Sequence, residues 1–445
     1  MPTSITVKLR PGADKRLRRG HLWVFSNEIA EVLRPTATAK HDASDESDVP
    51  SINRIAVESQ SSKGENPPSE TGKHPSKSTS TDGVNPGSVA RLFDNRNQFM
   101  GTGYYHPHSL IAFRLVTSKD IDLNQDFYTE RIKEAIDLRR QLRPDAQAMR
   151  VVHGESDGLP GVLIDQIGQV VSVQIVSAGA ENHLDFIVEA CRMVLQPEWI
   201  ILRNDAGMRK LEGLSEYVKV VHGGEQVPVQ TITEHGITYE VDILQGQKTG
   251  FYVDQHENRL QFRRFVKSGD RVLDAFCNDG GFALHAAVAG ADSVKALDIS
   301  QPALDRAEIN AQNNGLSEKI HFERADLMKW LPQQASQEPG SYDVVNLDPP
   351  SFAKNRKTAA AALKGYQKLH EAALRLLKPG GFMATATCSH HIDTQRFIET
   401  VTEAARRTGT RVTMVWRGSQ PSDHPVLPAM PETEYLRFFV FQVKS

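Results

Sequence analysis

Apolar residues occupy alternate positions in Ile5-Thr6-Val7-Lys8-Leu9, the spacing of a strand with one buried face. Strand-like runs recur at Trp23 to Val32, Ser88 to Phe93, Gly101 to Tyr105 and Leu110 to Val116, and together they predict a small β domain. Inside it the pattern lapses from about Pro35 to Pro86, where Ser, Pro, Lys, Glu, Asp and Gly dominate. Such a stretch cannot bury enough apolar surface to offset the entropy of ordering it, so residues 36–87 are expected to form a disordered insertion. Closing a loop costs only slowly more as it lengthens, which makes the insertion tolerable.

Helical and strand periods then alternate. A helix is predicted from about Phe127 to Leu142, strands at Val151 to His153, Gly161 to Ile167 and Val170 to Val176, a helix at His183 to Leu195 and a strand at Trp199 to Arg203, which make a compact α+β unit. Next, Ile237 to Ile243 runs into a polar, small-residue loop, Leu244 to Gln255, and a helix reaching Phe265. A short strand, Arg271 to Asp274, leads through a loop ending at Gly280-Gly281 into an amphipathic helix stopped by Gly290, and the strand Ser293 to Leu297 ends in Asp298. Later helices are expected from Gln301 to Asn314, capped by Ser300, after Asp326, from about Arg356 to Leu377 and after Asp393. Strands are expected at Ile320 to Arg324, Asp343 to Leu347, Phe382 to Thr387, Arg411 to Trp416 and Tyr435 to Val443. This is the pattern of a doubly wound α/β domain.

With 445 residues, 39% of them hydrophobic, the chain has room for two or three cores. No apolar run approaches a membrane span and the N-terminus has no signal-peptide core, so a cytoplasmic protein without membrane contact is expected. Cys191, Cys277 and Cys388 are too few and too scattered for a disulfide framework or a zinc site, and His390-His391 has no third ligand at metal spacing; no metal is expected. A net charge of −3 argues against a globally basic nucleic-acid binder. Local patches stay open: Lys15, Arg16, Arg18 and Arg19 precede Trp23 and Phe25, offering cations for phosphates and rings for stacking. The plainer reading is a solvated charge run before two core aromatics.

Ligands of doubly wound sheets bind beyond the carboxyl ends of the strands, and four strands here end at Asp274, Asp298, Asp348 and Cys388. A glycine loop lets the backbone approach a ligand closely, and Asp298, one βαβ half-unit later, suits a ribose. There is no phosphate-binding lysine motif and no complete GxGxxG, so a nucleoside without a pyrophosphate, such as S-adenosylmethionine, fits better than a dinucleotide. A purely structural turn would look the same at this loop. Asp348-Pro349-Pro350 holds a carboxylate outside regular structure, although a cap or turn would also use it. Cys388 reads either as a small buried hydrophobe or as a nucleophile.

Four stretches in order, GQKTGFYVDQHENR (246–259), LDAFCNDGGFALHA (273–286), NLDPPSFAK (346–354) and TCSHH (387–391), together resemble the RlmI-type family of S-adenosylmethionine-dependent 23S ribosomal RNA cytosine-5 methyltransferases. HLWVFSNEI (21–29) resembles the start of that family's RNA-binding PUA domain, a β barrel, and SDHPVLPAMPETEYLR (422–437) its C-terminal end. The resemblance implies three parts: a PUA-like domain at 1–118 carrying the insertion, a central α+β domain at 119–235, and a Rossmann-like class I methyltransferase domain at 236–445 with a terminal antiparallel strand pair. It further implies that Asp274, Asn278 and Gly280 line the methionine end of S-adenosylmethionine, that Asp298 binds the ribose hydroxyls and Asp326 meets the adenine, with Phe251, Asp254 and Gln255 contributing from the upstream loop. His256 and Asp279 depart from the arginine and threonine common in the family.

Cytosine C5 is a poor nucleophile, and thiolate addition at C6 activates it, which gives Cys388 the role of nucleophile and Asp348 that of assisting at the N3/N4 edge of the base. Arg16, Arg18, Arg19 and Pro349 are the expected RNA contacts, and the partner implied is ribosomal RNA or a large-subunit assembly intermediate, with a homodimer left open. Two other readings remain: a ribosomal RNA guanine methyltransferase, which needs no covalent catalyst, and an RNA-binding assembly protein with a vestigial methyltransferase fold.

Overall fold

The protein is described here as a computed structural model, which covers residues 5–34, 83–353, 356–389 and 391–444. Most of the expected insertion lies outside the described residues.

The N-terminal strands are β1 (Ile5–Leu9), β2 (Trp23–Phe25), β3 (Ile29–Leu33), β4 (Ser88–Phe93), β5 (Phe99–Tyr105) and β6 (Ile111–Thr117), with one short helix, α1 (Asp14–Leu17). They form one sheet in the order β2-β6-β5-β4-β1-β3. Its two edge strands, β2 and β3, are separated in sequence only by the turn Ser26–Glu28. The sheet must therefore roll until its edges meet, a barrel-like closure around Val7, Leu9, Val24, Leu92 and Phe113.

The central unit contains α2 (Gln125–Leu142), β7 (Ala148–His153), β8 (Val162–Ile167), β9 (Val170–Ile175), α3 (Ala178–Glu181), α4 (Leu184–Leu195), β10 (Trp199–Asn204) and β11 (Tyr217–His222). Its five strands run in the order β11-β10-β9-β8-β7, and α2 and α4 cover one face through Ile132, Ile136, Ile187 and Leu195. A hairpin of β12 (Gln230–Glu234) and β13 (Ile237–Val241) follows, and the expected domain boundary at 235/236 falls on its turn.

The third unit holds α5 (His256–Phe262), β14 (Arg271–Ala275), α6 (Gly281–Val288), β15 (Ser293–Asp298), α7 (Gln301–Asn313), β16 (Ile320–Arg324), α8 (Leu327–Gln337) and β17 (Tyr342–Leu347). It ends with α9 (Ala359–Leu376), β18 (Leu377–Thr387), α10 (Thr394–Thr408), β19 (Arg411–Ser419) and β20 (Arg437–Lys444). The sheet order is β16-β15-β14-β17-β18-β20-β19, parallel through β18, with β20 antiparallel to both β18 and β19. Successive residues of each strand feed opposite faces: Val272 and Val344 pack with Phe262, Ala283 and the hairpin, whereas Leu273 and Val345 pack with Leu331, Tyr366 and Phe397. The sequence pattern ends the long helix at Lys378-Pro379-Gly380-Gly381 and starts the next strand at Phe382. In the structure these residues belong to β18, because Leu377 already pairs with Tyr342 and an irregularity opposite Asp343 absorbs the extra length. Chain order reverses between β14 and β17, which opens a crevice at their carboxyl ends.

Candidate active site

The crevice is a cavity of about 530 Å³, within the range of small-molecule sites. Three loops build it. The first leaves β14 as Phe276-Cys277-Asn278-Asp279-Gly280, and here Phe276, Asn278 and Gly280 all have positive φ, 68°, 45° and 82°. A left-handed conformation is costly for a phenylalanine, so the neighbours must hold it: the amides of Phe276 and Cys277 both donate to the carbonyl of Leu297, at 2.9 and 3.0 Å. The second loop carries Asp348-Pro349-Pro350-Ser351-Phe352 beyond β17, and the third brings Gln247 to Gln255 across the mouth. Cys388, directly after β18, lines the same cavity.

Of the residues expected at the site, Phe251, Asp254, Gln255, Asn278, Asp298, Asp326, Asp348, Pro349 and Cys388 line the cavity. Asp274 and Gly280 do not. Asp274 lies inside β14, buried, and accepts a hydrogen bond from Asn346 Nδ2 of β17 at 2.9 Å; Gly280 turns toward Ala307 and Phe322 at the start of α6. Both therefore shape the loop from behind. The arginine run stands apart from the cavity. Arg16 pairs with Glu28 at 2.9 Å and stacks on Phe25, and Arg18 pairs with Asp14 and Asp94, each at 2.7 Å, while Lys15 and Arg19 are exposed. Two of the four cations thus pair with carboxylates of their own unit while staying partly open to solvent. Sequence reasoning passed over Lys248 and Tyr252 of the mouth loop, which also line the cavity.

Asp298 accepts from the amides of Asn278 and Ser300, at 3.0 and 2.9 Å, and keeps lone pairs for a ligand. Asp326 caps α8 through the amide of Met328 at 3.2 Å. The unusual carboxylate Asp279 is matched by Arg306, whose Nη2 lies 2.8 Å away. Burial pushes the Asp348 carboxyl up to about 6, only partly offset by Lys248; Gln255 Nε2 donates to its Oδ2 at 3.0 Å. Burial also raises the Cys388 thiol, with Lys248 opposing the rise and Asp348 adding to it. Asp254 behaves oppositely: burial would raise it, but Lys248, 2.5 Å from Oδ2, and nearby His424 hold it well below the ordinary carboxylate range.

Five carboxylates on the wall, Asp254, Asp279, Asp298, Asp326 and Asp348, suit a cationic ligand carrying hydroxyls. Asp254 Oδ1 and Asn278 Oδ1 are buried without a hydrogen-bond partner, as acceptors awaiting one would be. S-adenosylmethionine, with a sulfonium, an ammonium and a ribose, fits that donor set.

Residues 214–437 match the family described as S-adenosylmethionine-dependent methyltransferase, and residues 7–44 and 77–118 match the PUA-like domain. The chain is 36% identical over 449 residues to the ribosomal RNA large subunit methyltransferase I of Photobacterium profundum, covering 100% of both chains. The chain belongs to that methyltransferase family. It is 34% identical to the protein of the same name from Alteromonas mediterranea, covering 99% of each. A solved S-adenosylmethionine-dependent methyltransferase structure from Streptococcus mutans has the same fold, with a TM-score of 0.75 at 19% identity, covering 98% of this chain and 99% of that one. Family membership makes S-adenosylmethionine the cofactor of this PUA-plus-methyltransferase chain. Among the described residues no helix is long and apolar enough to cross a membrane.

Proposed function

We propose that this methyltransferase forms 5-methylcytosine in large-subunit ribosomal RNA, with Cys388 as the covalent nucleophile. The relatives' names supply the substrate class. The observation that carries the cytosine reading is the position of Cys388, at a strand end on the cavity wall that also bears Asp348 and the cofactor loop. A guanine nitrogen would need no such thiol.

Bound S-adenosylmethionine supplies an electrophilic methyl group. Asp348, held by Gln255, takes the thiol proton of Cys388, and the resulting thiolate forms a bond to cytosine C6 while Asp348 passes that proton to N3. C5 becomes enamine-like and takes the methyl. A base or water in the cavity takes the C5 proton and Asp348 takes back the N3 proton, so the C6–S bond breaks, Cys388 leaves as thiolate and the ring is restored. Pro349 and Pro350, which have no amide N–H to offer, leave the edge beside Asp348 for the base, which must be unstacked to reach the cavity.

The test is methyl transfer from labelled S-adenosylmethionine to ribosomal RNA lacking the modification, with the product nucleoside identified by mass. Wild type yields 5-methylcytosine, and Cys388→Ala yields none although it still binds the cofactor by calorimetry. Methylation surviving in the variant refutes the covalent mechanism.

A further inference from the structure

The mouth loop brings a lysine to the wall of a cavity otherwise rich in acids. Lys248 has its backbone in the left-handed region, φ 54°, an uncommon conformation that fixes where the side chain starts. Its ammonium is tethered twice. It lies 2.5 Å from Asp254 Oδ2 and 4.1 Å from the centroid of the Tyr252 ring. Asp254 is itself pinned, since the Tyr435 hydroxyl donates to the same Oδ2 at 2.7 Å. Asp254 is 3% exposed, whereas the Lys248 side chain keeps 37% of its surface, so the carboxylate lies behind and the ammonium projects toward the open space.

Lys248 and Arg259 are the two cations among the described lining residues. Arg259 is spent: Nε and Nη2 bond Glu234 at 3.1 and 2.6 Å, and Nη1 donates to the carbonyl of Tyr252 at 3.0 Å. That leaves Lys248 as the cation able to answer negative charge developing in the cavity. The charged groups facing Cys388 are Lys248, Asp348 and Asp254, with the phenols of Tyr252 and Tyr366 alongside. Lys248 and Cys388 line the same cavity, and of the charged groups around the thiol Lys248 is the one that favours the thiolate.

We infer that Lys248, held by Asp254 and Tyr435, is the positioning residue that stabilises the thiolate of Cys388 against the surrounding carboxylates. This deepens the cytosine reading and rests on it for its catalytic meaning. Without Lys248, the proton handed from Cys388 to Asp348 would leave an uncompensated anion in a buried, acidic cavity.

The test uses the full-length protein without RNA, so that it reads the thiol itself and not the reaction. Iodoacetamide alkylation of Cys388 is followed by peptide mass from pH 6 to 10. Lys248→Gln keeps a hydrogen bond to Asp254 but loses the charge, and is expected to slow labelling at pH 8 about tenfold and shift the pH profile upward. Lys248→Arg restores most of the rate, which a merely structural role for the side chain would not do once Lys248→Gln has an unchanged melting temperature. Superimposable profiles for wild type and Lys248→Gln overturn the inference. Because no RNA is present, that result is separate from a failure of Cys388→Ala to abolish methylation, which would sink the covalent mechanism instead.

Discussion

Asp274 shows how one residue can shape a site it does not enter. Burial raises its carboxyl to about 7, and the Asn346 hydrogen bond only partly opposes the rise. The unfolded chain releases this proton near the ordinary value of 3.8, so between about pH 4 and pH 7 the native state holds a proton that the unfolded state has lost. Stability from this group therefore falls as pH rises through that window, by on the order of a few kcal/mol. In urea unfolding at a series of pH values, Asp274→Asn is expected to remove that slope and to gain on wild type at pH 8. Parallel curves for the two proteins would contradict this account of Asp274.

At the scale of elements, the strands, helices and caps were largely legible. Ser300 accepts from the amide of Ala303 and Asp393 from that of Arg396, as their positions before apolar periodic runs imply. The loops were legible as motifs but not as contacts. Lys248 looks like any lysine in a polar loop, because the partner that anchors Asp254 behind it, Tyr435, is 181 residues further along. The contacts of the arginine run were hidden for the same reason: Arg18 reaches Asp94, 76 residues away, and no local pattern announces that pairing. Close packing between elements was equally invisible. Gly179, in α3, lies where an added Cβ would fall 2.0 Å from Cγ of Tyr104 in β5, so the barrel and the central sheet meet at a residue that must be glycine. Gly179→Ala is expected to cost about 1–3 kcal/mol in denaturant unfolding, by forcing Tyr104 off the helix. An unchanged midpoint would mean the contact yields freely.

At the scale of the whole molecule, the segment before β20 ties the methyltransferase unit to the central one. Asp423 is fully buried; its carbonyl accepts from Arg139 at 3.0 Å, and its carboxylate meets Arg143 at 2.5 Å, the amide of Arg150 at 3.2 Å and His424 at 2.8 Å. Burial alone would raise this carboxyl, but His424 and Arg143 hold it well below the usual range. Removing the anion strands Arg143 in a nearly dry site. Asp423→Ala is expected to cost about 3–5 kcal/mol, read as a lower denaturant midpoint for the whole chain. If only a local probe near Arg143 responds, the two units are not coupled through it.

The order β18-β20-β19 carries a further consequence. Strand β20 inserts between two strands that precede it in sequence, and Thr387, the residue before Cys388, pairs with Arg437 at its start. A chain still emerging from the ribosome lacks that strand, and so does one cut short by a premature stop. Neither pairs the end of β18, so a chain cut before Arg437 is expected to lose methyl transfer outright rather than in part, since the strand that steadies the residue before Cys388 is gone.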